Sequence, residues 1–191
     1  MNNFNQKNII GLTGMSGAGK TQASRIFAER GFFVINCDKQ AKITLEKPQC
    51  TNGIKAMFPN VNNKTELTYT VFSDKEKLKK YENFVFPYII FDIINLIITC
   101  EKTDILLDAP TLFQSGADDL CRKIVAIIAE KETVITRITK RDNVPEELAL
   151  LRLNSQPNAD FFRKNADYII ENNMSIKKLE KHTNEVIDGL I

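Results

Sequence analysis

Short apolar runs alternate along this chain with stretches in which apolar residues recur every three or four positions. Ile9, Ile10 and Leu12 form the first run, which ends in a glycine-rich turn and predicts a buried strand. Ala23, Ile26 and Phe27 then fall at i, i+3 and i+4, the spacing of a helix face, and Gly31 stands where a left-handed residue closes a helix. Phe32 to Ile35 is the next run. Strand, helix and strand in that order make a βαβ unit, which sets the two strands parallel with the helix packed across them.

Further along, Ser73 and Glu76 have the spacing of a capping box ahead of Leu78, Tyr81 and Val85, and Pro87 is expected to kink or interrupt that helix. Ile105 to Leu107, ending in Asp108, and Ile124 to Ile128 are short and unbroken, as strands covered on both faces should be. Thr133 to Arg141 and Pro145 to Ser155 read as helices, Tyr168 to Ile170 as a fifth strand. Ser175 to Leu190 reads as a closing helix with Ile176, Leu179, Val186 and Leu190 on one side. The alternation predicts an α/β domain of three layers, a five-stranded parallel sheet with helices on both faces. No internal repeat, low-complexity tract or linker divides residues 1–191.

Composition narrows the function. The 191 residues, 43% of them apolar, suffice for one core with small insertions. Lys plus Arg number 26 against 24 Asp plus Glu, a net charge of +2, which argues against nucleic-acid binding built on counterion release. Small anionic ligands stay open. The polar start, Met1 to Lys7, does not read as a secretory signal. The longest apolar stretch, Tyr88 to Ile98, is interrupted by Asp92 and Asn95 and falls short of the ~20 residues that span a bilayer, so no membrane segment is expected. Cys37, Cys50, Cys100 and Cys121 are too dispersed for a disulfide framework, and reduced thiols in a cytoplasmic protein are the expected state. Cys37 reads as a small buried strand residue. His182 stands alone, which leaves little for a zinc site or a Ser-His-Asp triad.

Residues Gly14 to Thr21 read G-M-S-G-A-G-K-T and satisfy G-x-x-x-x-G-K-[ST] between a predicted strand and a predicted helix. Gly14, Gly17 and Gly19 let the backbone wrap and turn its N–H groups inward, Met15, Ser16 and Ala18 complete the cradle, and the helix points its positive end at the anion. Lys20 is placed to reach the β and γ phosphates, and the Thr21 hydroxyl to bind Mg²⁺. A plain glycine turn with a solvated lysine is the alternative. The loop points to a nucleoside triphosphate but leaves the reaction open.

Asp38 ends the second predicted strand, where a parallel sheet gathers its ligands, and should face the same cavity as Lys20. A carboxylate there can take the proton of an attacking hydroxyl or hold water on a magnesium ion; it can equally cap a helix starting near Lys39. Asp108, at the end of the third strand, has the position of an acidic Mg²⁺ support, or of a turn residue before Pro110. Arg137, Arg141, Arg152 and Arg163 are four of the seven arginines. Arg137 and Arg141, four apart, share a helix face, as a clamp on phosphate oxygens needs and as a solvated basic face also shows. With the polar segment from Asp142 to Pro145, they suggest a closing lid.

The chain resembles the dephospho-coenzyme A kinases over roughly residues 8 to 190. I-G-L-T-G-M-S-G-A-G-K-T is similar to that family's first strand and loop, and V-I-N-C-D (Val34 to Asp38) to its second strand ending in the catalytic aspartate. E-L-T-Y-T-V-F-S-D (Glu66 to Asp74) resembles the stretch before its substrate-side helices, and L-D-A-P-T-L-F (Leu107 to Phe113) its D-x-P-L-L-F signature. R-I-T-K-R-D (Arg137 to Asp142), with Arg152 and Gln156, resembles its lid, and A-D-Y-I-I-E-N (Ala166 to Asn172) its last strand.

The resemblance implies a P-loop kinase fold with a substrate-side helical insertion at about 48–100 and a lid at about 130–165. It implies ATP-dependent phosphorylation of the ribose 3'-hydroxyl of dephospho-coenzyme A, with Mg²⁺. Asp38 would be the base, Lys20, Arg137 and Arg141 would act on the phosphates, and Asn172 would join the loop in holding the nucleotide. Thr21, Asp38 and Asp108 would serve the metal. Phe86 stands where the family has His before Pro87, Lys42 where it often has Arg, and Gln114 where it often has Glu. These departures keep open a kinase of the same fold acting on a nucleoside or nucleoside monophosphate, or a regulatory nucleotide binder without turnover.

Overall fold

The computed structural model describes residues 3–173 and 175–191. In chain order the elements begin with β1 (Asn8–Gly14), α1 (Lys20–Glu29) and β2 (Phe33–Asn36). Four helices follow: α2 (Cys37–Leu45), α3 (Pro48–Met57), α4 (Lys64–Phe72) and α5 (Lys75–Thr99). Then come β3 (Asp104–Asp108), β4 (Lys123–Ile128), α6 (Lys131–Asp142), α7 (Glu146–Asn154), α8 (Ala159–Asn165), β5 (Tyr168–Glu171) and α9 (Ile176–Asp188). They form two compact units. One runs to Asn36 and resumes at Cys100; the other is Cys37–Thr99.

The first unit holds a five-stranded sheet, all parallel, in the order β2-β3-β1-β4-β5. β1, buried from Ile9 to Gly14, takes the centre. β1 pairs Ile10 with Leu106 of β3 on one side, and Leu12 with Val125 of β4 on the other. Ile10, Leu12, Leu106, Val125 and Ile127 are fully buried in one core with Ala23 and Phe27 of α1, Val134 and Ile138 of α6, and Leu179 and Ile187 of α9. The alternating pattern of runs and helical spacing is thus an α/β fold with each strand run intact.

At the end of α1 the Gly31 N–H donates to the Ala28 carbonyl (3.0 Å) and the Phe32 N–H to the Phe27 carbonyl (3.1 Å), with Gly31 at φ +95°. This closure satisfies two carbonyls that the helix leaves over, and the Phe27 and Phe32 rings meet edge to face with centroids 5.0 Å apart. The hydrophobic contact fixes the direction in which the chain enters β2.

The second unit is helical throughout. α5 buries Val85, Ile89, Ile93 and Ile97, a stripe at four-residue spacing, in a unit where α2, α3 and α4 pack against it. Beside the stripe lies the buried Asp92, which accepts from Thr44 Oγ1 (2.5 Å) and Lys47 Nζ (2.6 Å). By length and composition α5, with a stretch of mean hydropathy 1.4, could cross a membrane. Within that stretch 28% is buried, including the ion-paired Asp92 and the stripe that packs in the helical unit.

Three expectations change here. Pro87 neither ends nor interrupts the helix, which continues from Lys75 to Thr99 around it, so the apolar segment is longer than the run from Tyr88 suggested. Ser73 is the C-cap of α4, still bonded to the Tyr69 carbonyl. The cap of α5 is Asp74, whose carboxylate accepts from the Glu76 and Lys77 N–H groups. The capping box stands at the other end of α4, where Asn63 Oδ1 accepts from the Glu66 N–H and Glu66 accepts from Asn63 Nδ2.

Candidate active site

Gly14 ends β1 at φ +139°, pressed so closely on β4 that an added Cβ would overlap the Ile127 carbonyl. The Met15 N–H donates to that same carbonyl (3.0 Å), so the loop leaves the sheet while still tied to β4. No side chain caps α1 at Gly19, and the first N–H groups of that helix are left for an anion at its positive end. From the far edge of the sheet the buried Asn172, one residue past β5, donates from Nδ2 to the Ala18 carbonyl (2.6 Å) and fixes the loop's back.

Lys20, in the first turn of α1, is ion-paired with Asp108 at the end of β3. The pairing follows from topology, because β1 and β3 are neighbours whose carboxyl ends emerge together, Leu12 opposite Asp108. The Ala109 N–H donates to the Leu12 carbonyl (3.0 Å) and the Thr13 hydroxyl to the Pro110 carbonyl (3.3 Å), which hold the segment after Asp108 against β1. Thr21 follows Lys20 and is exposed.

A cavity of about 830 Å³ opens in front of the loop. Gly14, Ser16, Lys20 and Thr21 form one wall, and Arg137, Lys140, Arg141 and Gln156 the other. Its size and its cluster of cations suit a polyanionic nucleotide. Arg137 Nη1 donates to the Asn172 carbonyl (2.9 Å), so this arginine is anchored to the residue that clamps the loop. Arg141 makes a two-pronged contact with Asp142 (2.7 and 2.9 Å), and Arg152 a further one with the same carboxylate (2.6 Å). The hydrogen bond from Arg141 is the first reason that the Asp142 carboxyl lies below its ordinary range. The helical spacing of Arg137 and Arg141 does bring both into one cavity. Arg152 acts instead on Asp142, and Arg163 pairs with Glu171 (2.7 Å) and Asp160 (3.4 Å) away from it.

Asp38 does not end a strand. β2 stops at Asn36, and Asp38 is an exposed residue in the first turn of α2, within the second unit. The helix starts at Cys37, so Asp38 lies inside it and is not the cap of a helix from Lys39. Among the described residues no three His, Cys, Asp or Glu side chains cluster as a metal site. Thr21 and Asp108 nonetheless flank Lys20 with hard oxygen donors, the kind that Mg²⁺ takes beside nucleotide phosphates without an all-protein cage. Lys140 and the contact of Gln156 with the loop were not legible from motif spacing. Lys140 lies between the two arginines on α6, and a count of cations on that helix would have raised it.

A family model described as Dephospho-CoA kinase matches residues 8–178. Among curated proteins, the dephospho-CoA kinase of Fusobacterium nucleatum is 38% identical over 182 residues, covering 91% of this chain and 93% of that one. Among solved structures, a Thermus thermophilus protein superposes with a TM-score of 0.85 at 27% identity, over 97% of this chain and 98% of that one. The dephospho-CoA kinase of Campylobacter jejuni does so with a TM-score of 0.63 at 26% identity, again over 97% and 98%.

Proposed function

Because this chain belongs to the dephospho-CoA kinase family and phosphorylates dephospho-CoA with ATP, the final step of coenzyme A synthesis, we propose that Lys20, Asp38, Arg137 and Arg141 carry that reaction at the ribose 3'-hydroxyl. The observation that carries the reading is the convergence on one cavity of the loop, its lysine and the lid cations. Phosphoryl transfer passes through a loose state with charge spread over the transferred group, so positioning and electrostatics do most of the work. The loop N–H groups and Lys20 take the β and γ phosphates, with Lys20 exchanging Asp108 for phosphate oxygens. Arg137 and Arg141 close on the same charges, and closure keeps water from acting as acceptor.

Asp38 takes the proton of the 3'-hydroxyl, which leaves the oxygen free to attack the γ phosphorus as ADP departs. Thr21, Asp108 and Asp38 would serve a magnesium ion as oxygen donors, and the ion would neutralise phosphate charge when bound. Asn172 contributes indirectly by fixing the loop from behind. The lid is the stretch of about 130–165, and the helices at about 48–100 contribute the acceptor side. Lys42 faces solvent at a cavity of about 640 Å³ within that second unit.

A coupled assay of ADP formation, comparing dephospho-CoA, adenosine and AMP as acceptors, tests the assignment. Turnover is expected with dephospho-CoA, and Asp38→Asn should lower kcat by about 10²–10⁴-fold while ATP still binds. An Asp38→Asn enzyme with wild-type kcat would remove Asp38 from the mechanism.

A further inference from the structure

Gln156 lies beyond α7, far from the phosphate loop in sequence, yet its Oε1 accepts from the Ser16 N–H at 2.9 Å. That bond fixes which way the amide points, because only the oxygen can accept from a backbone N–H. The other half of the amide, Nε2, is buried and has no hydrogen-bond partner among the described residues. A buried donor left without an acceptor is costly, and native proteins keep few of them. This one belongs to a side chain on the wall of the 830 Å³ cavity, with Lys20, Arg137 and Arg141. Gln156 also borders a second cavity of about 650 Å³ that carries Glu130, Asp160 and Glu171; in the first, Lys20, Arg137, Lys140 and Arg141 gather anions, so the acceptor that Nε2 meets there is an anionic oxygen.

We propose that Gln156 is a specificity residue for the terminal phosphate of the nucleotide: Oε1 holds the Ser16 N–H while Nε2 donates to a γ-phosphate oxygen. The inference rests on the loop being the ATP site and adds a group that recognises triphosphate in preference to diphosphate. The geometry supplies the reason for a neutral amide. A second ammonium or guanidinium would grip ADP and ATP alike through long-range attraction, whereas an amide donor gains only where an oxygen sits within hydrogen-bond reach. It also gives the segment between α7 and α8 a direct contact with the reacting phosphate. Loss of the γ-phosphate then removes one tie between lid and loop, which favours release of ADP.

The test is calorimetric titration of ATP and ADP, each with Mg²⁺, into the wild-type protein and two variants. Gln156→Met keeps the side-chain length and removes both amide groups; Gln156→Glu keeps an acceptor for Ser16 and removes the donor. The readout is the ratio of ATP to ADP affinity, which a partly unfolded sample does not alter. A hydrogen bond to a charged oxygen predicts that the ratio falls on the order of tenfold or more in both variants. An unchanged ratio in both overturns the proposal and leaves Gln156 as a tie between lid and loop. Lys20→Ala, measured alongside, separates the two readings. If it leaves nucleotide binding intact, the loop assignment fails and this one with it; if it abolishes binding while the Gln156 ratio stays constant, only the role of Gln156 falls.

Discussion

Asn172 joins three parts of the first unit through one side chain and its backbone. Its Nδ2 holds the Ala18 carbonyl, its own carbonyl takes Arg137, and its N–H donates to the Ile128 carbonyl (2.8 Å). Asn172→Ala should cost about 1–3 kcal/mol by leaving a buried carbonyl without its donor, measured by urea unfolding. It should also raise KM for ATP more than it lowers kcat, since the loop loses its backing but keeps Lys20. Gly14→Ala should be worse than the roughly 1–3 kcal/mol of a strained backbone alone, because the new Cβ meets the β4 backbone, which cannot yield. At this scale the loop was legible because its eight residues are consecutive and their spacing encodes the fold of the turn. The bonds from Asn172 and Gln156 reach back 154 and 140 residues. No local periodicity carries such a contact, and Asn172 entered the site only through family resemblance.

Among the elements, α5 shows most clearly how packing overrides local preference. Pro87 removes a helix N–H and crowds the preceding turn, at a cost of about 3 kcal/mol relative to alanine in a helix interior. Burial of the Val85 to Ile97 stripe offsets that, which is why the sequence rule that stops a helix before proline fails here. Pro87→Ala should therefore raise stability, by up to about 3 kcal/mol in chemical unfolding.

Burial alone would raise the Asp92 carboxyl, but hydrogen bonds from Lys47 and Thr44 together with the lysine charge hold it below its ordinary value. A depressed folded value means that the pair stabilises above the unfolded carboxylate range and loses its contribution as pH falls through the folded value. Lys47→Met should then cost about 2–3 kcal/mol near neutral pH, with the gap to wild type closing on acidification as Asp92 takes up a proton. A gap independent of pH would mean that the ion pair is not what the lysine supplies. The capping of α4 was present in the sequence as Asn63 with Glu66 three residues on. Asn is as good a cap as Ser, so Asn63 carried as strong a signal as Ser73.

For the whole molecule, a ligand that binds only the folded state stabilises it by mass action, about 2.7 kcal/mol at a hundredfold excess over Kd. Saturating ATP should raise Tm accordingly in wild type and leave it unmoved in Lys20→Met. The alternation of runs and helices specified a parallel sheet, but the order of its strands was not legible. Local spacing says that β1 and β2 share a crossover, and only the folded chain shows β3 lying between them. That arrangement also has a history during synthesis. β1 is made early, yet Asn8 must wait for Asp104, 96 residues later, before its first neighbouring strand exists. At translation rates of about 5–20 residues per second the wait is roughly 5–20 s. Throughout that time the buried central strand of the phosphate-loop unit has both of its edges bare, so the nascent chain is most exposed to aggregation and to chaperone capture before β3 and β4 emerge.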